Sequence, residues 1–173
     1  MDKALVRVPQ DHDIVALTAI YNHYVVATPI TFDLKAFTVP ERRQTWFEHY
    51  AATGRHRLLV LENDEGVVGY CCSSTFRPKG AYQTSVESSV YVAPMCVGRG
   101  YGTMLYTALF EELRKEDVHR VYAGITLPND ASIALHKRFG FRSVGVYSEV
   151  GYKLERYWDV EWFEKRLGSE ATT

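Results

Sequence analysis

A strand that runs directly into a glycine-rich loop restricts the possible folds of this chain more than any other feature. The strand ends near Val92, the chain turns at Ala93-Pro94, and an amphipathic helix follows the loop. Glycine at every second position exposes backbone N–H groups where the start of a helix already favours an anion. We therefore predict a phosphate-binding turn, with an unliganded strand-to-helix turn as the alternative. The glycines are Gly98, Gly100 and Gly102.

The spacing of these glycines does not fit two common nucleotide-binding motifs. Gly-x-Gly-x-Gly differs from the Rossmann pattern Gly-x-Gly-x-x-Gly, and no acidic residue ends the next strand, near Arg120 to Ile125. A Walker loop ends in Gly-Lys-Ser/Thr, whereas this loop ends in Gly102-Thr103-Met104. A phosphate bound here would therefore belong to a different class of ligand site.

The strand that precedes the loop, 82–92, has two chemically different faces. Its even positions are mainly apolar and predict a core face, whereas its odd positions are polar. Glu87 lies in the middle of the polar face, where partial desolvation would raise the carboxyl pKa towards that of a useful general base. A solvated surface charge is the alternative. The core-face residues are Val86, Ser88, Val90 and Val92, and the polar residues are Ser85, Glu87, Ser89 and Tyr91.

A third segment, Asn129–Phe141, has marked signals for the start and the end of a helix. Asn129 lies at a strand-loop-helix junction, where its amide could bind backbone or ligand. His136 is the one histidine within these signals, and a structural histidine is the alternative to a catalytic one. The other histidines have no ligand spacing with carboxylates or cysteines, so we predict no metal site.

The order of predicted elements indicates one domain, residues 1–173, of the mixed α/β class. Three neighbouring strands predict an antiparallel meander, and a helical crossover then predicts a parallel strand. The predicted helices begin at Asp11 or Asp13, at Thr38 with an end at Gly54, after the glycine loop, and at Asn129. The predicted strands are Leu5–Val8, Arg57–Glu62, Val67–Phe76, Tyr82–Val92, Arg120–Ile125, Phe141–Val150 and Tyr152–Phe163, with Gly151 at the last turn.

Charge and composition argue against several classes of partner. A formal net charge of −1 provides no general attraction to nucleic acid or to acidic membranes. The first residues lack the apolar run of a signal peptide, and no run of about 18 apolar residues could span a membrane. Three cysteines, with two adjacent, suggest a reducing compartment. We therefore expect a cytoplasmic protein.

The glycine loop and the third segment together resemble the signature of the GNAT superfamily of acetyl-CoA-dependent N-acetyltransferases. They correspond to Gln/Arg-x-x-Gly-x-Gly/Ala and to Asn-x-x-Ala/Ser-x-x-Leu-Tyr-x-x-x-Gly-Phe. Within that superfamily the chain looks most like the phosphinothricin and methionine sulfoximine acetyltransferases, over nearly its whole length. The resemblance implies a mixed, mostly antiparallel sheet of about seven strands flanked by helices. The stretches that carry it are Ile20–Tyr24, Thr31-Phe32, Ala81-Tyr82, Val86-Glu87, Val90–Val92, Val97–Gly102, Leu127–Asp130 and Asn129–Phe141.

The resemblance also implies a role for each matching residue. Acid–base work falls on Glu87 and His136, and the sequence does not decide which is the base. The loop would bind the pyrophosphate of acetyl-CoA, and the strand edge would bind its pantetheine arm. Asn129 would contact the cofactor further along its length. The implied cofactor residues are Val90, Tyr91, Val92, Gly98, Arg99, Gly100, Tyr101, Gly102, Thr103 and Asn129. The implied acceptor residues are Phe32, Arg77, Lys79, Glu87, Ser88 and Ser89.

Two departures from the family pattern bear on these expectations. Val97 stands at the Gln/Arg position, so the phosphate would be held by backbone amides. Lys79 replaces a second arginine and loses its bidentate fork. The expected acceptor is a small amino acid such as methionine sulfoximine, methionine sulfone or phosphinothricin, with a homodimer as the family's assembly. A protein or peptide N-acetyltransferase and a non-catalytic acyl-CoA-binding regulatory module are the alternatives.

Overall fold

A computed structural model describes residues 4–168, in which seven strands form one sheet. The strands are β1 (Leu5–Arg7), β2 (Leu58–Asn63), β3 (Gly66–Thr75), β4 (Ser85–Val92), β5 (Arg120–Thr126), β6 (Arg142–Lys153) and β7 (Arg156–Arg166). The helices are α1 (Ile14–Ala27), α2 (Val39–Thr45), α3 (Tyr101–Leu113) and α4 (Asp130–Arg138). Their order confirms the predicted alternation of an antiparallel front, one βαβ unit and a final hairpin.

The sheet has the order β1-β2-β3-β4-β5-β7-β6. Only the β4–β5 pair is parallel, because α3 carries the chain back across the sheet between them. The other neighbouring pairs are antiparallel. The predicted mixed, mostly antiparallel sheet is therefore confirmed.

Helices cover both faces of the sheet and divide its core into two clusters. On one face, α3 buries residues spaced four apart, Leu105, Leu109 and Leu113, against β2, β3 and β4. On the other face, α1 packs Leu17 and Tyr24 against β2 and β3. The two faces of β4 therefore meet different layers, as its alternating sequence predicts.

The second helix is shorter than the sequence predicts. Its start is confirmed, because the Thr38 hydroxyl accepts from the Glu41 N–H and the Glu41 carboxylate accepts from the Thr38 N–H. The helix ends at Thr45, and Trp46 leaves helical geometry with φ −142°. Trp46 then packs edge-to-face on Tyr70, so tertiary packing ends this helix well before the predicted stop at Gly54.

The last hairpin turns at a different place from the predicted Gly151. The turn lies at Leu154 and Glu155, whose φ angles are +51° and +60°. Gly151 lies inside β6 opposite Trp158, and the Phe32 ring fills the space beside it. A Cβ on Gly151 would lie 2.1 Å from Phe32 Cε2, so this glycine permits a close contact instead of a turn.

The strand before the glycine loop also starts later than predicted. Residues Gly80–Tyr82 form a 3₁₀ turn, and β4 begins at Ser85. The Tyr82 N–H donates to the Lys79 carbonyl within this turn. The Tyr82 N–H is therefore used inside the turn and does not pair with β3.

Candidate active site

A gap opens in the middle of the sheet between β4 and β5. The two strands pair only where Ser85–Glu87 meets Arg120–Tyr122. Beyond Glu87, β4 continues to Val92 alongside β3 alone, and β5 continues to Thr126 alongside β7 alone. One edge of β4 therefore lies unpaired inside the sheet.

The register shows which backbone groups of β4 face this gap. The Ala93 N–H donates to the Val68 carbonyl, so Ala93 and Val68 form a hydrogen-bonded pair directly beside the pair Val92 and Gly69. Hydrogen-bonded pairs alternate along an antiparallel ladder, so odd-numbered residues of β4 point their N–H and C=O groups at β3. Even-numbered residues, Ser88 to Val92, point theirs at the gap. This refines the expectation for the strand edge, because the Tyr91 N–H is directed away from the gap.

A cleft of about 510 Å³, which we call the glycine cleft, opens beside this edge. The cleft is lined by the β4 edge, the glycine loop and the start of α4. Nine of the ten residues predicted to bind a cofactor line it, and Arg99 is exposed outside the lining. The nine are Val90, Tyr91, Val92, Gly98, Gly100, Tyr101, Gly102, Thr103 and Asn129.

The glycine loop has the backbone geometry of an anion-binding turn. Gly98 and Gly100 have φ angles of +83° and +81°, which side chains other than glycine rarely adopt. Gly100 is the N-cap of α3, and its carbonyl accepts from the Thr103 N–H, which leaves earlier N–H groups of the turn to face outward. A Cβ on Gly102 would lie 3.1 Å from Leu135 Cδ2, so that glycine permits α3 to approach α4 closely.

A second cleft, which we call the tyrosine cleft, lies on the α1–α2 face of the sheet and has a volume of about 490 Å³. Its walls come from α1, α2, the following 3₁₀ turn and the strands β3 and β4. Four tyrosines and one arginine dominate the lining, and no acidic residue belongs to it. The lining residues are Tyr21, Arg42, Trp46, His49, Tyr50, His56, Tyr70, Cys72, Ser74, Thr75, Ser89 and Tyr91.

A narrow pocket of about 50 Å³, the connecting pocket, lies at the gap between the two clefts. It shares Val90 and Tyr91 with the glycine cleft, and Ser89 and Tyr91 with the tyrosine cleft. His136 and Tyr106 form part of its wall. A group held in the glycine cleft can therefore meet a group held in the tyrosine cleft only at the sheet gap.

Glu87 lies on the same face of β4 as Ser89 and opposite Ser74, both of which line the tyrosine cleft. Burial raises the pKa of the Glu87 carboxyl above its ordinary value, and the charge of Arg77 partly opposes that rise. A half-buried carboxylate with a raised pKa, next to a cleft, has the properties of a general base.

His136 lies on the opposite face of the sheet, buried against α3. Its Nδ1 is 2.7 Å from the Ser132 carbonyl oxygen, and its Nε2 is 3.0 Å from the Tyr106 hydroxyl. A carbonyl can only accept, so Nδ1 carries the proton, and Nε2 of the neutral ring accepts from Tyr106. Burial lowers the pKa of His136 and favours this neutral form, although the Ser132 contact opposes the shift. Tyr106 also lies 3.3 Å from Ser88 Oγ.

The structure thus separates the predicted catalytic pair. Glu87 faces the α1–α2 layer, and His136 faces the α3 layer, so they reach the sheet gap from opposite faces and form no dyad. Ser88 lies on the same face of the sheet as His136, because its hydroxyl contacts Tyr106 there. Its side chain therefore lies away from the tyrosine cleft, on the core face that its even position predicts, and not beside Ser89 as the resemblance implied.

The remaining residues that the resemblance assigns to acceptor binding lie outside the lining of the tyrosine cleft, and we call this surrounding surface its rim. Arg77 and Lys79 are exposed and line a separate hollow of about 280 Å³, which shares only Thr75 and His56 with the tyrosine cleft. Phe32 is 37% exposed and packs its ring against Gly151 of β6. The sequence did not predict Tyr106 or Arg42. The hydroxyl on the apolar face of α3, and the Arg42–Trp46 spacing of four residues, were the available signals.

Comparison with known proteins identifies a family for these features. The family model for the acetyltransferase (GNAT) domain matches residues 6–162. An N-acetyltransferase of Streptomyces griseus is 55% identical over 90% of this chain and 82% of that protein. A phosphinothricin N-acetyltransferase of Streptomyces coelicolor is 53% identical over 94% of this chain and 95% of that protein. An L-methionine sulfoximine/L-methionine sulfone acetyltransferase of Salmonella typhimurium is 32% identical over 96% of both chains.

Solved structures agree with this result. An acetyltransferase from Salmonella typhimurium, determined with its cofactor acetyl-CoA, superposes with a TM-score of 0.89. It is 31% identical, and the match covers 98% of this chain and 96% of that one. Within residues 4–168 no group of side chains could hold a metal ion, and no helix there is long and apolar enough to cross a membrane.

Proposed function

Because this chain belongs to the GNAT acetyltransferase family, we propose that it transfers the acetyl group of acetyl-CoA to the amino group of a small amino acid. Phosphinothricin, methionine sulfoximine and methionine sulfone are the proposed acceptors, since similar proteins are named for them. The sheet gap is the observation that carries the proposal. It joins a backbone-lined cleft suited to a coenzyme with a separate cleft of a size suited to an amino acid.

The glycine cleft is the proposed site for acetyl-CoA, which supplies the activated acetyl group. The loop from Gly98 to Gly102 directs its N–H groups at the pyrophosphate, with no side chain needed at Val97, whereas the Thr103 N–H is bonded to the Gly100 carbonyl. On the β4 edge, the N–H and C=O of Val90 and the N–H of Val92 face the gap and can bond the pantetheine amides, as a further strand would, whereas the Val92 carbonyl accepts from the Tyr24 hydroxyl. Asn129 faces the same cleft further along.

Glu87 is the proposed general base. An amino-acid acceptor arrives mainly as ammonium, which has no lone pair for attack, and Glu87 takes one proton directly or through a water and passes it to solvent. After the attack the nitrogen carries one proton more than the amide product, and Glu87 takes that proton too. Its raised pKa brings it closer to neutral pH and strengthens it as a base. The N–H groups of Val90 and Val92 face the gap and stabilise negative charge on the acetyl oxygen.

Tyr106 and His136 form the proposed proton donor for the departing thiolate. Neutral His136 holds its proton on Nδ1, towards the Ser132 carbonyl, so the proton nearest the connecting pocket belongs to the Tyr106 hydroxyl. Burial raises the pKa of Tyr106, which keeps the phenol protonated but makes it a weaker acid, so the proton moves only to a thiolate that lies against it in the same buried pocket. The hydroxyl turns from His136 Nε2 to the thiolate sulfur, and the phenolate that remains accepts from the Ser88 hydroxyl until it is protonated again.

Assembly as a homodimer through β6 is part of the same proposal. This strand is an edge of the sheet, and large apolar side chains along it and its turn are exposed. A charged substitution such as Val146→Glu should halve the mass measured by light scattering, whereas a stable dimer would contradict this interface. The exposed residues are Val144, Val146, Tyr147, Val150, Tyr152, Leu154 and Tyr157.

A role in detoxifying such amino acids and a cytoplasmic location complete the proposal. Three cysteines, Cys71, Cys72 and Cys96, are buried as free thiols, which suits a reducing compartment. Measuring the activity in fractionated cells would test this location.

The decisive assay measures release of free thiol from acetyl-CoA with a panel of acceptors. We expect turnover with the free amino acids named above and little with peptides. A protein N-acetyltransferase would give the reverse order, and a non-catalytic acyl-CoA-binding module would release no thiol with any acceptor.

A further inference from the structure

Arg42 holds a buried positive charge in the wall of the tyrosine cleft. The residue is 6% exposed, and its Cζ lies 3.8 Å from the ring centroid of Tyr21 and 4.0 Å from that of Trp46. Its Nε has no hydrogen-bond partner, and no carboxylate within residues 4–168 forms an ion pair with the guanidinium. Buried charges usually have such a partner, because burial without one costs several kcal/mol.

A second unsatisfied donor lies in the same cleft. Tyr70 is fully buried, and its hydroxyl has no hydrogen-bond partner within the described residues. Both groups line the tyrosine cleft, and none of its lining residues is acidic. Two buried donors without acceptors, next to an open cavity, are complementary to an anion.

We propose that Arg42 and the Tyr70 hydroxyl bind an anionic group of the acceptor in the tyrosine cleft. This inference rests on the proposed function and adds the chemistry by which the acceptor is recognised. The end of the cleft near Ser89 and Tyr91 opens onto the sheet gap, so the amine lies there and the anionic group lies towards Arg42. The planar guanidinium can donate two parallel hydrogen bonds to a carboxylate or a phosphinate.

Arg42 is better placed for this task than the cations predicted from the sequence. Arg77 and Lys79 are exposed and line a different hollow, where water and salt screen their charges. Arg42 is shielded by two aromatic rings, which makes its interaction with an anion stronger. The rim cations would attract the acceptor, and Arg42 would fix its orientation.

The experiment compares the KM of an acceptor with that of its neutral amide. In Arg42→Met we expect the KM for L-methionine sulfone to rise about 10- to 100-fold, while the KM for its primary amide stays unchanged. Arg42→Lys retains the charge and should recover part of the loss. Arg43→Gln is the matched control, because Arg43 lies next in the same helix and pairs with Asp11 outside the cleft. Equal effects on acid and amide would overturn the proposal, and so would the absence of any effect with both methionine sulfone and phosphinothricin.

Two acceptors distinguish which anionic group is bound. Methionine sulfone carries only a carboxylate, so a selective loss with it places the α-carboxylate at Arg42. A loss seen only with phosphinothricin places the phosphinate there. Tyr70→Phe retains the ring and removes one hydroxyl, and it should raise the same KM about 3- to 10-fold. If Arg42→Met does not fold, the absence of any acid-selective change in Tyr70→Phe overturns the proposal.

A binding measurement separates this inference from the proposed function. Inorganic phosphate is titrated against the intrinsic tryptophan fluorescence, to which Trp158 and Trp162 also contribute, and Trp46 is the tryptophan whose ring lies on the guanidinium. We expect a saturable change in the native protein and none in Arg42→Met. If no amino acid is acetylated but this difference persists, the proposed function fails and the anion site stands. Identical titrations of the two proteins would overturn the anion site.

Discussion

The glycine cleft and the tyrosine cleft meet at one gap, but backbone groups line the first and side chains line the second. The glycine cleft presents backbone, with two glycines of positive φ, a helix start and one edge of β4. The tyrosine cleft presents side chains from α1, α2 and the strands, which lie far apart in the sequence. Under the proposed function, this difference means that the two substrates are recognised independently. Backbone groups suit a ligand that is always the same, and side chains suit one that differs between relatives.

Removing the carboxylate on the acceptor side should have the largest effect. In Glu87→Gln we expect kcat to fall about 10²- to 10⁴-fold, because no group takes the ammonium proton. The KM for acetyl-CoA should stay the same, which stopped-flow or steady-state assays with varied acetyl-CoA can measure. Glu48→Gln, an exposed carboxylate in the 3₁₀ turn after α2, is the control. A large change in the acetyl-CoA KM would break the separation between the clefts.

The raised pKa of Glu87 also gives a sign for stability. A raised pKa means that the folded state prefers the protonated acid. The contribution of Glu87 to the free energy of unfolding is therefore most favourable at low pH and is lost as the pH rises through the raised pKa. Glu87→Gln should therefore melt at a higher temperature than the native protein at pH 7. Melting curves at several pH values should show the difference vanish below the ordinary carboxyl pKa of about 4.

Substitution at the pocket shared by the clefts should have the next largest effect. In Tyr106→Phe, His136 Nε2 and Ser88 Oγ lose their common partner, which should cost about 1–3 kcal/mol of unfolding free energy. Loss of the proton donor should lower kcat about 10- to 100-fold with both KM values retained. Kinetics and denaturant titration measure the two effects separately. Tyr82→Phe, at an exposed tyrosine outside both clefts and the proposed dimer surface, should change neither, and an unchanged kcat in Tyr106→Phe would remove the donor role.

A backbone change should act on the glycine cleft alone. Gly100→Ala places a side chain at φ +81°, where no neighbour lies within 4 Å of the new Cβ, so only the turn is strained. We expect the KM for acetyl-CoA to rise about 10-fold with the acceptor KM unchanged. Gly66→Ala creates a similar strain at φ +108° in the β2–β3 hairpin, outside the lining of both clefts, and should lower only the melting temperature. An equal KM effect of the two variants would show that the loop backbone has no special role.

A side chain added to the glycine cleft should have the smallest effect. Val97 is 59% exposed and lines the cleft, so Val97→Arg adds a cation close to the proposed pyrophosphate site. We expect acetyl-CoA to bind about 2- to 5-fold more tightly at low salt, since exposed charges contribute little. Calorimetry at two salt concentrations measures this, with Val15→Arg on α1 as the control. A gain above 100-fold would show that the cleft depends on side chains after all.

The contrast between the clefts also explains what could be predicted from the sequence. The antiparallel meander, the parallel crossover, the two faces of β4 and the glycine turn follow from short-range patterns of hydrophobicity and glycine, whereas the place of β7 between β5 and β6 was not predicted. The ends of α2 and of the final hairpin did not, because Trp46 packing on Tyr70 and Phe32 packing on Gly151 decide them. Arg42 was missed for the same reason, since its aromatic partners and its cleft exist only in the folded chain.

The gap between β4 and β5 has a consequence for the lifetime of the protein. A coenzyme that pairs with the β4 edge completes the sheet and binds the folded chain only, so mass action adds its binding free energy to folding. At 100 times the dissociation constant this amounts to about 2.7 kcal/mol. Cells with abundant acetyl-CoA would therefore protect this enzyme from proteolysis, and starvation would expose it. Metabolic supply would then control the amount of catalyst as well as its rate.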